Sequence, residues 1–251
     1  MGKQARNRSR EMRKAQAAIA AQRGRRRPLL IGGLVVIAGL VIAIVVALVS
    51  AAGDRDSGGG SGALVTPKGA TAGGALVVGQ AAAPVKLEVY LDYMCPFCGR
   101  FEKANSGEID KLVADGTARL ELYPLSFLDR MSSGTRYSTR AANAVVTVAD
   151  RAPDKMMAFN KALFDHQPQE GSEGLTDGQI ADLATGAGVP QDVVDAFEDR
   201  IFEPWITKST EAVFDAGITG TPTVKIDGKA FEGDLYTAGP LTQAVTAAKG
   251  A

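Results

Sequence analysis

Cys95 and Cys98 are the only two cysteines in this chain of 251 residues, and only Pro96 and Phe97 separate them. A pair at this spacing can staple a loop, supply half of a metal site, or cycle between dithiol and disulfide. Zinc takes four nitrogen, sulfur or oxygen ligands, and beyond the pair the sequence offers a single soft donor, His166. A staple across so short a loop removes little chain entropy, because the gain grows with the logarithm of loop length. The redox reading makes direct use of the spacing. If a helix begins at the pair, the first sulfur stands where unpaired N–H groups and the helix dipole favour a thiolate. The second sulfur then lies one turn inside, within reach to open or close a disulfide. Pro96 suits the first helical turn, having a preset φ and no N–H to leave unpaired.

The flanking segments supply the elements that such a pair needs. "VKLEVYLDY" reads as a strand leading into the cysteines. A helix should begin at the pair and continue through "GRFEKANSGEIDKLVADG", with Gly116 near its end. "ARLELYPLSF" alternates as a second strand. Residues 132–217 change character to a block of helices: "YSTRAANAVVTVADR", "DKMMAFNKALFDH", "TDGQIADLATGAG" and one long segment over 192–217. "TPTVKIDGKAFEG" then reads as a hairpin turning at "DG", and "TAGPLTQAVTAAKG" as a final helix. The order describes an α/β domain over residues 75–251 with a helical insertion over about 132–217.

What precedes the domain sets its compartment. Of 28 basic and 28 acidic residues, ten basic and one acidic come before Pro28, leaving 18 and 27 for the rest. Residues 1–28 therefore form a basic tail on an otherwise acidic protein. Directly after it, residues 29–49 carry no charge. A helix of that length spans roughly 30 Å, the thickness of a bilayer's hydrocarbon core. A single transmembrane helix over residues 29–50 is expected, with the arginine cluster cytoplasmic and the domain outside. The rival, a cleaved signal peptide, has a shorter apolar region. The tail serves as a topology signal and a contact for anionic lipid, so no nucleic-acid role is needed. Residues 51–74, rich in Gly, Ser, Ala and Thr, read as a flexible linker.

Taken together, "LDYMCPFCGRFE", the helical insertion and "GITGTPTVKIDGK" resemble the DsbA-like thiol–disulfide oxidoreductases of the thioredoxin superfamily. The resemblance covers residues 78–248 and implies a thioredoxin-like fold with an inserted helical domain. It implies that Cys95 and Cys98 are catalytic and that the redox-active disulfide is the sole cofactor. It also implies that Pro222 is a cis-proline beside that disulfide, where "TGTPT" by itself suits a turn of either isomer. Thr221 would pair its backbone with an extended substrate, with Pro96 and Phe97 supporting the site. Many relatives carry an acid six residues before the first cysteine; here that position is Val89, and Glu88 lies one place earlier. Alternation along a strand sends Glu88 to the opposite face. Asp92 matches the family pattern and is a candidate for proton transfer.

Other candidates are weaker: His166 is expected on a helix surface, Trp205, Phe202 and Phe214 in the core, and Met156 and Met157 in core or groove. The resulting reading is a monomeric, membrane-anchored oxidase acting outside the cytoplasm on thiols of exported proteins. The resemblance implies a DsbB- or VKOR-type membrane partner that reoxidises it. The alternatives are a reductase or isomerase on the same fold, or a redox-silent peptide-binding module.

Overall fold

The computed structural model describes residues 64–250. The basic tail, the expected membrane segment at 29–50 and the first part of the linker lie outside the described residues. Among the described residues, no helix is long and apolar enough to cross a membrane.

A five-stranded sheet forms the frame, in the order β1–β3–β2–β4–β5. β2 (Val85–Leu91) and β3 (Ala118–Pro124) run parallel at its centre, joined by α1 (Pro96–Ala114). β1 (Leu76–Val78) pairs antiparallel with β3, and β4 (Thr223–Ile226) antiparallel with β2. The β-branched and aromatic content of β2 favours the extended form, and burial on both faces fits a central strand. β5 (Lys229–Ala230) closes a hairpin with β4. Its turn residues Asp227 and Gly228 have φ of 50° and 81°, the sign that a tight two-residue hairpin turn demands.

One sheet face carries Leu87, Val89 and Leu91 into the main core, where Phe101, Ile109 and Leu112 of α1 also point. The opposite face carries Tyr90, stacked on Tyr123 at 4.1 Å, with Ala75, Leu125, Val213 and Ile218 forming a second apolar cluster. α7 (Pro240–Ala248) packs against α1 and β2. The insertion contains α2 (Tyr137–Arg151), α3 (Met156–Asp165), α4 (Asp177–Gly186), α5 (Gln191–Asp195) and α6 (Glu203–Asp215). α2 is its hub, touching α3, α4, α5 and α6. α4 starts with a capping box in which Thr176 and Gln179 satisfy each other's backbone N–H.

Three features differ from the sequence expectations. The single helix expected over 192–217 is broken: α5 passes through a short 3-10 turn to Arg200, whose φ is 53°, before α6 begins. Pro204 at the start of α6 explains the break, since it lacks an N–H and its ring would clash with the carbonyl four residues earlier. β1 is a further strand that three residues of sequence pattern could not announce. The last part of the segment expected as a linker over 51–74 is instead laid on the domain. The Lys68 N–H donates to Asp150 Oδ1 at 2.7 Å, Thr71 N–H to the Ala75 carbonyl at 2.9 Å, and Ser209 Oγ to the Gly74 carbonyl at 3.4 Å. Composition alone reads those small residues as loose.

Phe101 is fully buried between α1 and the sheet. Phe101→Ala is expected to cost about 3–5 kcal/mol, measured by urea denaturation. A loss below about 1 kcal/mol would place the core elsewhere.

Candidate active site

β2 ends at Leu91, and four residues later Cys95 is the N-cap of α1, with φ −75° and ψ 115°. Its carbonyl accepts the Cys98 N–H at 2.9 Å and the Gly99 N–H at 3.2 Å, which closes the first turn around Pro96. No side chain caps this end, so its free N–H groups face the Cys95 sulfur. The two cysteines are not bonded to each other, and both are buried. Cys95 retains 5% exposure and Cys98 none, which leaves only the first sulfur open to attack from solvent.

The electrostatics separate the two sulfurs further. Cys95 is lowered from the usual thiol range to about 6, chiefly by a hydrogen bond from the Cys98 thiol that outweighs the effect of burial. Thr221 and the backbone N–H groups of Cys98 and Phe97 act in the same direction. Cys98 is raised well above the thiol range, first by burial and then by the same bond and by the Cys95 charge. Cys95 is thus the thiolate and Cys98 the protonated thiol of the reduced pair.

The chain returns to this point 126 residues later. The Cys95 Sγ lies 3.3 Å from the Thr221 carbonyl, and the Thr221–Pro222 bond is cis. Thr221 and Pro222 lead directly into β4, so the Thr221 backbone is held at the sheet's end beside the sulfur. Phe97 stands half exposed next to Cys95, and its ring and that of Tyr236 both face the Arg100 guanidinium, at 5.6 and 4.5 Å.

Asp92 is fully buried beneath the pair. Its backbone N–H points to Cys98 Sγ at 3.5 Å. Its carboxylate accepts from Ser138 Oγ at 2.6 Å, Met94 N–H at 2.8 Å and Leu128 N–H at 2.9 Å. Burial nevertheless dominates and raises it to about 6, with the Cys95 charge acting in the same direction. Val89 faces the main core with the cysteines, whereas Glu88 sits with Tyr90 on the other sheet face, bonded to the Tyr90 hydroxyl and paired with Lys86 at 3.2 Å. Glu88 therefore does not replace the acid that Val89 displaces.

Sequence reasoning did not single out four residues of the insertion and α1 that shape the site. Gln167 Nε2 donates to the carbonyls of Tyr93, at 3.0 Å, and Cys95, at 2.8 Å. Gly99 permits this approach, since a Cβ there would collide with Gln167 Oε1. Glu102, one turn beyond Cys98, is buried and bonded to Asn160 Nδ2 at 3.1 Å, while Asn160 Oδ1 accepts the Tyr93 hydroxyl at 2.9 Å. Desolvation raises Glu102 to about 7, and its second carboxyl oxygen has no partner among the described residues. Its spacing of four from Cys98 on a helix was the available signal, because it puts both on one face. His166 lies exposed at the end of α3. Trp205 and Phe202 are core residues, but Phe214 is 55% exposed and lines a groove beside Cys95 instead. Among the described residues, no cluster of three or more His, Cys, Asp or Glu side chains is placed to hold a metal ion.

Alkylation of reduced Cys95 is expected to follow its thiolate fraction, so that its rate falls as pH drops through about 6. Iodoacetamide kinetics on the Cys98→Ala variant and on the parent would measure it. The parent should show the low midpoint, and the variant, lacking the thiol donor, a higher one. A parent midpoint at the ordinary thiol value of about 8.5 would contradict the assignment.

Comparison with known proteins places this geometry. A family model described as thioredoxin matches residues 71–242. The serine/threonine-protein kinase PknE of Mycobacterium tuberculosis is 32% identical over 155 residues, which cover 59% of this chain and 27% of the kinase. The chain thus spans about a quarter of the length of those kinase relatives. Disulfide bond formation protein D of Bacillus subtilis is 30% identical over 155 residues, covering 61% of this chain and 68% of that protein. The reduced form of the disulfide bond oxidoreductase DsbG from Mycobacterium tuberculosis superposes with a TM-score of 0.62 at 27% identity, covering 72% of this chain and 90% of that one. With the matched region running from before β1 into α7 and enclosing the cysteine pair and the cis-proline, the chain belongs to the thioredoxin family.

Proposed function

We propose that the chain is a thiol–disulfide oxidoreductase of DsbA type that introduces disulfides into exported proteins. The observation that carries this reading is the Cys95 sulfur, lowered to about 6 at a helix N-terminus and set 3.3 Å from the Thr221 carbonyl. In the oxidised enzyme a substrate thiolate attacks Cys95, forming a mixed disulfide and releasing Cys98 as a thiolate that takes up a proton. The substrate's second thiol loses its proton and attacks the substrate's first sulfur in the mixed disulfide, which expels Cys95 as the thiolate. The substrate has then lost two electrons and gained a disulfide, and the enzyme holds the dithiol. Asp92, buried beside both sulfurs, is positioned to exchange the proton that Cys98 gains or loses. An extended substrate would lie along the Thr221 backbone as an added strand, with Pro96 and Phe97 bounding its path.

The remaining parts of the reading rest on the sequence and on relatives. The charge-free segment behind the arginine cluster supports a single-pass anchor, with the tail cytoplasmic and the catalytic domain outside. The name of the Bacillus relative supports a role in forming disulfide bonds. A membrane partner of DsbB or VKOR type would accept the two electrons and regenerate the disulfide. The chain would work as a monomer, touching lipid through its anchor and binding no nucleic acid. In the reverse direction the same residues would serve a reductase or isomerase.

The direction is decided by the reduction potential. A stabilised Cys95 thiolate favours the reduced form and makes the pair more oxidising. Equilibration with glutathione is expected to give a value between about −120 and about −270 mV, in the oxidising half of that span. A value more negative than thioredoxin's would establish the reductase instead. Protease added to intact spheroplasts is expected to remove the catalytic domain and spare the tail, whereas a soluble product beginning near residue 51 would show a cleaved signal.

A further inference from the structure

The groove that opens from Cys95 has a composition of its own. Its volume is about 780 Å³, and it reaches from the sulfur and the Thr221 backbone to the loop after β3 and the end of α6. Phe127 and Phe214 form its apolar floor, meeting edge to face with centroids 6.3 Å apart. Phe214 is 55% exposed, an unusual state for a large aromatic ring and one that a bound apolar group would relieve. Three carboxylates, Glu170, Glu211 and Asp215, line the same groove against one cation, Arg130. None of these four groups takes part in an ion pair among the described residues, although ten such pairs occur elsewhere in the domain. The carboxylates are therefore not held in place by internal partners, and their field projects into the groove beside the reacting sulfur.

Resting on the oxidase reading above, we infer that this groove selects cysteines flanked by an apolar or aromatic residue together with a lysine or arginine. In an extended segment whose cysteine reaches Cys95, residues two places away lie on the same face, roughly 7 Å along. That distance carries them into the groove. An apolar side chain there covers Phe127 and Phe214, while a basic side chain meets Glu170, Glu211 and Asp215. Charge complementarity of this kind acts chiefly on the rate of encounter and on the rejection of like-charged partners. The acidic excess of the chain after Pro28, 27 residues against 18, adds a long-range attraction of the same sign. An acidic flank would be repelled by the same groups. The specificity is thus for basic, partly apolar segments of exported proteins in their unfolded state, when such cysteines are still extended.

The test uses the purified full-length chain in detergent, oxidised at Cys95–Cys98, and dithiol peptides that differ at one position. In the first pair, a phenylalanine flanks the attacking cysteine and the residue two places beyond is lysine or glutamate. A third peptide keeps the lysine and replaces phenylalanine by serine. The second-order rate of enzyme reduction is measured at low and at high salt. Reduction by dithiothreitol, which is too small to span the groove, normalises for changes at Cys95 itself. The lysine peptide is expected to react about tenfold faster than the glutamate peptide at low salt, with the ratio collapsing as ionic strength rises. The serine peptide should be several-fold slower than its phenylalanine counterpart. Combining Glu170→Gln, Glu211→Gln and Asp215→Asn should remove most of the lysine preference at low salt. Equal normalised rates for lysine and glutamate, a faster glutamate peptide, or a preference that survives the triple substitution would each overturn the inference while leaving the oxidase reading intact. If dithiothreitol reduces the enzyme and no peptide does, both fall.

Discussion

The electrostatic coupling of the buried Cys98 thiol to the Cys95 sulfur is the interaction on which the site depends. It requires one sulfur at the open end of a helix and the other one turn inside, fully covered. Burial holds Cys98 in its neutral, donating form, and that donation, with the unpaired N–H groups of α1, holds Cys95 in its charged form. Each sulfur thus fixes the protonation of the other. The remaining structure meets the conditions for this arrangement. β2 delivers the chain to the right point, Pro96 starts the helix without an orphan donor, and the core beneath α1 keeps water away from Cys98.

A second constraint is the division between the two sheet faces. The parallel register of β2 and β3 sets Val89 beside the cysteines and directs Glu88 away, into a polar band with Lys86, Glu121 and Arg119 next to the tyrosine stack. Without an acid at position 89, the ionisable groups near the pair come from elsewhere: Asp92 from the turn after β2 and Glu102 from α1. Both are raised by desolvation, to about 6 and about 7, so both change protonation near neutrality and not in the ordinary carboxylate range.

What could be read from the sequence was local. The cysteine spacing, the helix start at Pro96, the strands flanking α1 and the Asp227–Gly228 hairpin depend on neighbours within a few residues, where periodicity and turn chemistry act directly. What escaped was long-range. Gln167 contacts Cys95 across 72 residues and Tyr93 reaches Asn160 across 67, and no pattern along the chain announces either. The groove is likewise assembled from the loop after β3, the segment near Glu170 and the end of α6, so Phe214 looked like a core residue when judged by helical spacing alone. The break at Arg200 was locally encoded by Pro204, but the apolar period on either side of it masked the signal.

The wide separation of these contacts has a consequence for biosynthesis. The cysteines leave the ribosome early, whereas Ser138, Asn160 and Gln167 follow in the insertion and Thr221 arrives 126 residues after Cys95. Domains acquire structure from the N-terminus as synthesis proceeds, but here the first half of the site has nothing to close against until the last hairpin is made. A chain synthesised only as far as α1 carries both thiols with neither the carbonyl of Thr221 nor the clamp of Gln167. The surroundings of the Cys95 sulfur are therefore complete only once synthesis has passed Thr221, which ties the site's assembly to the order in which its two halves are made.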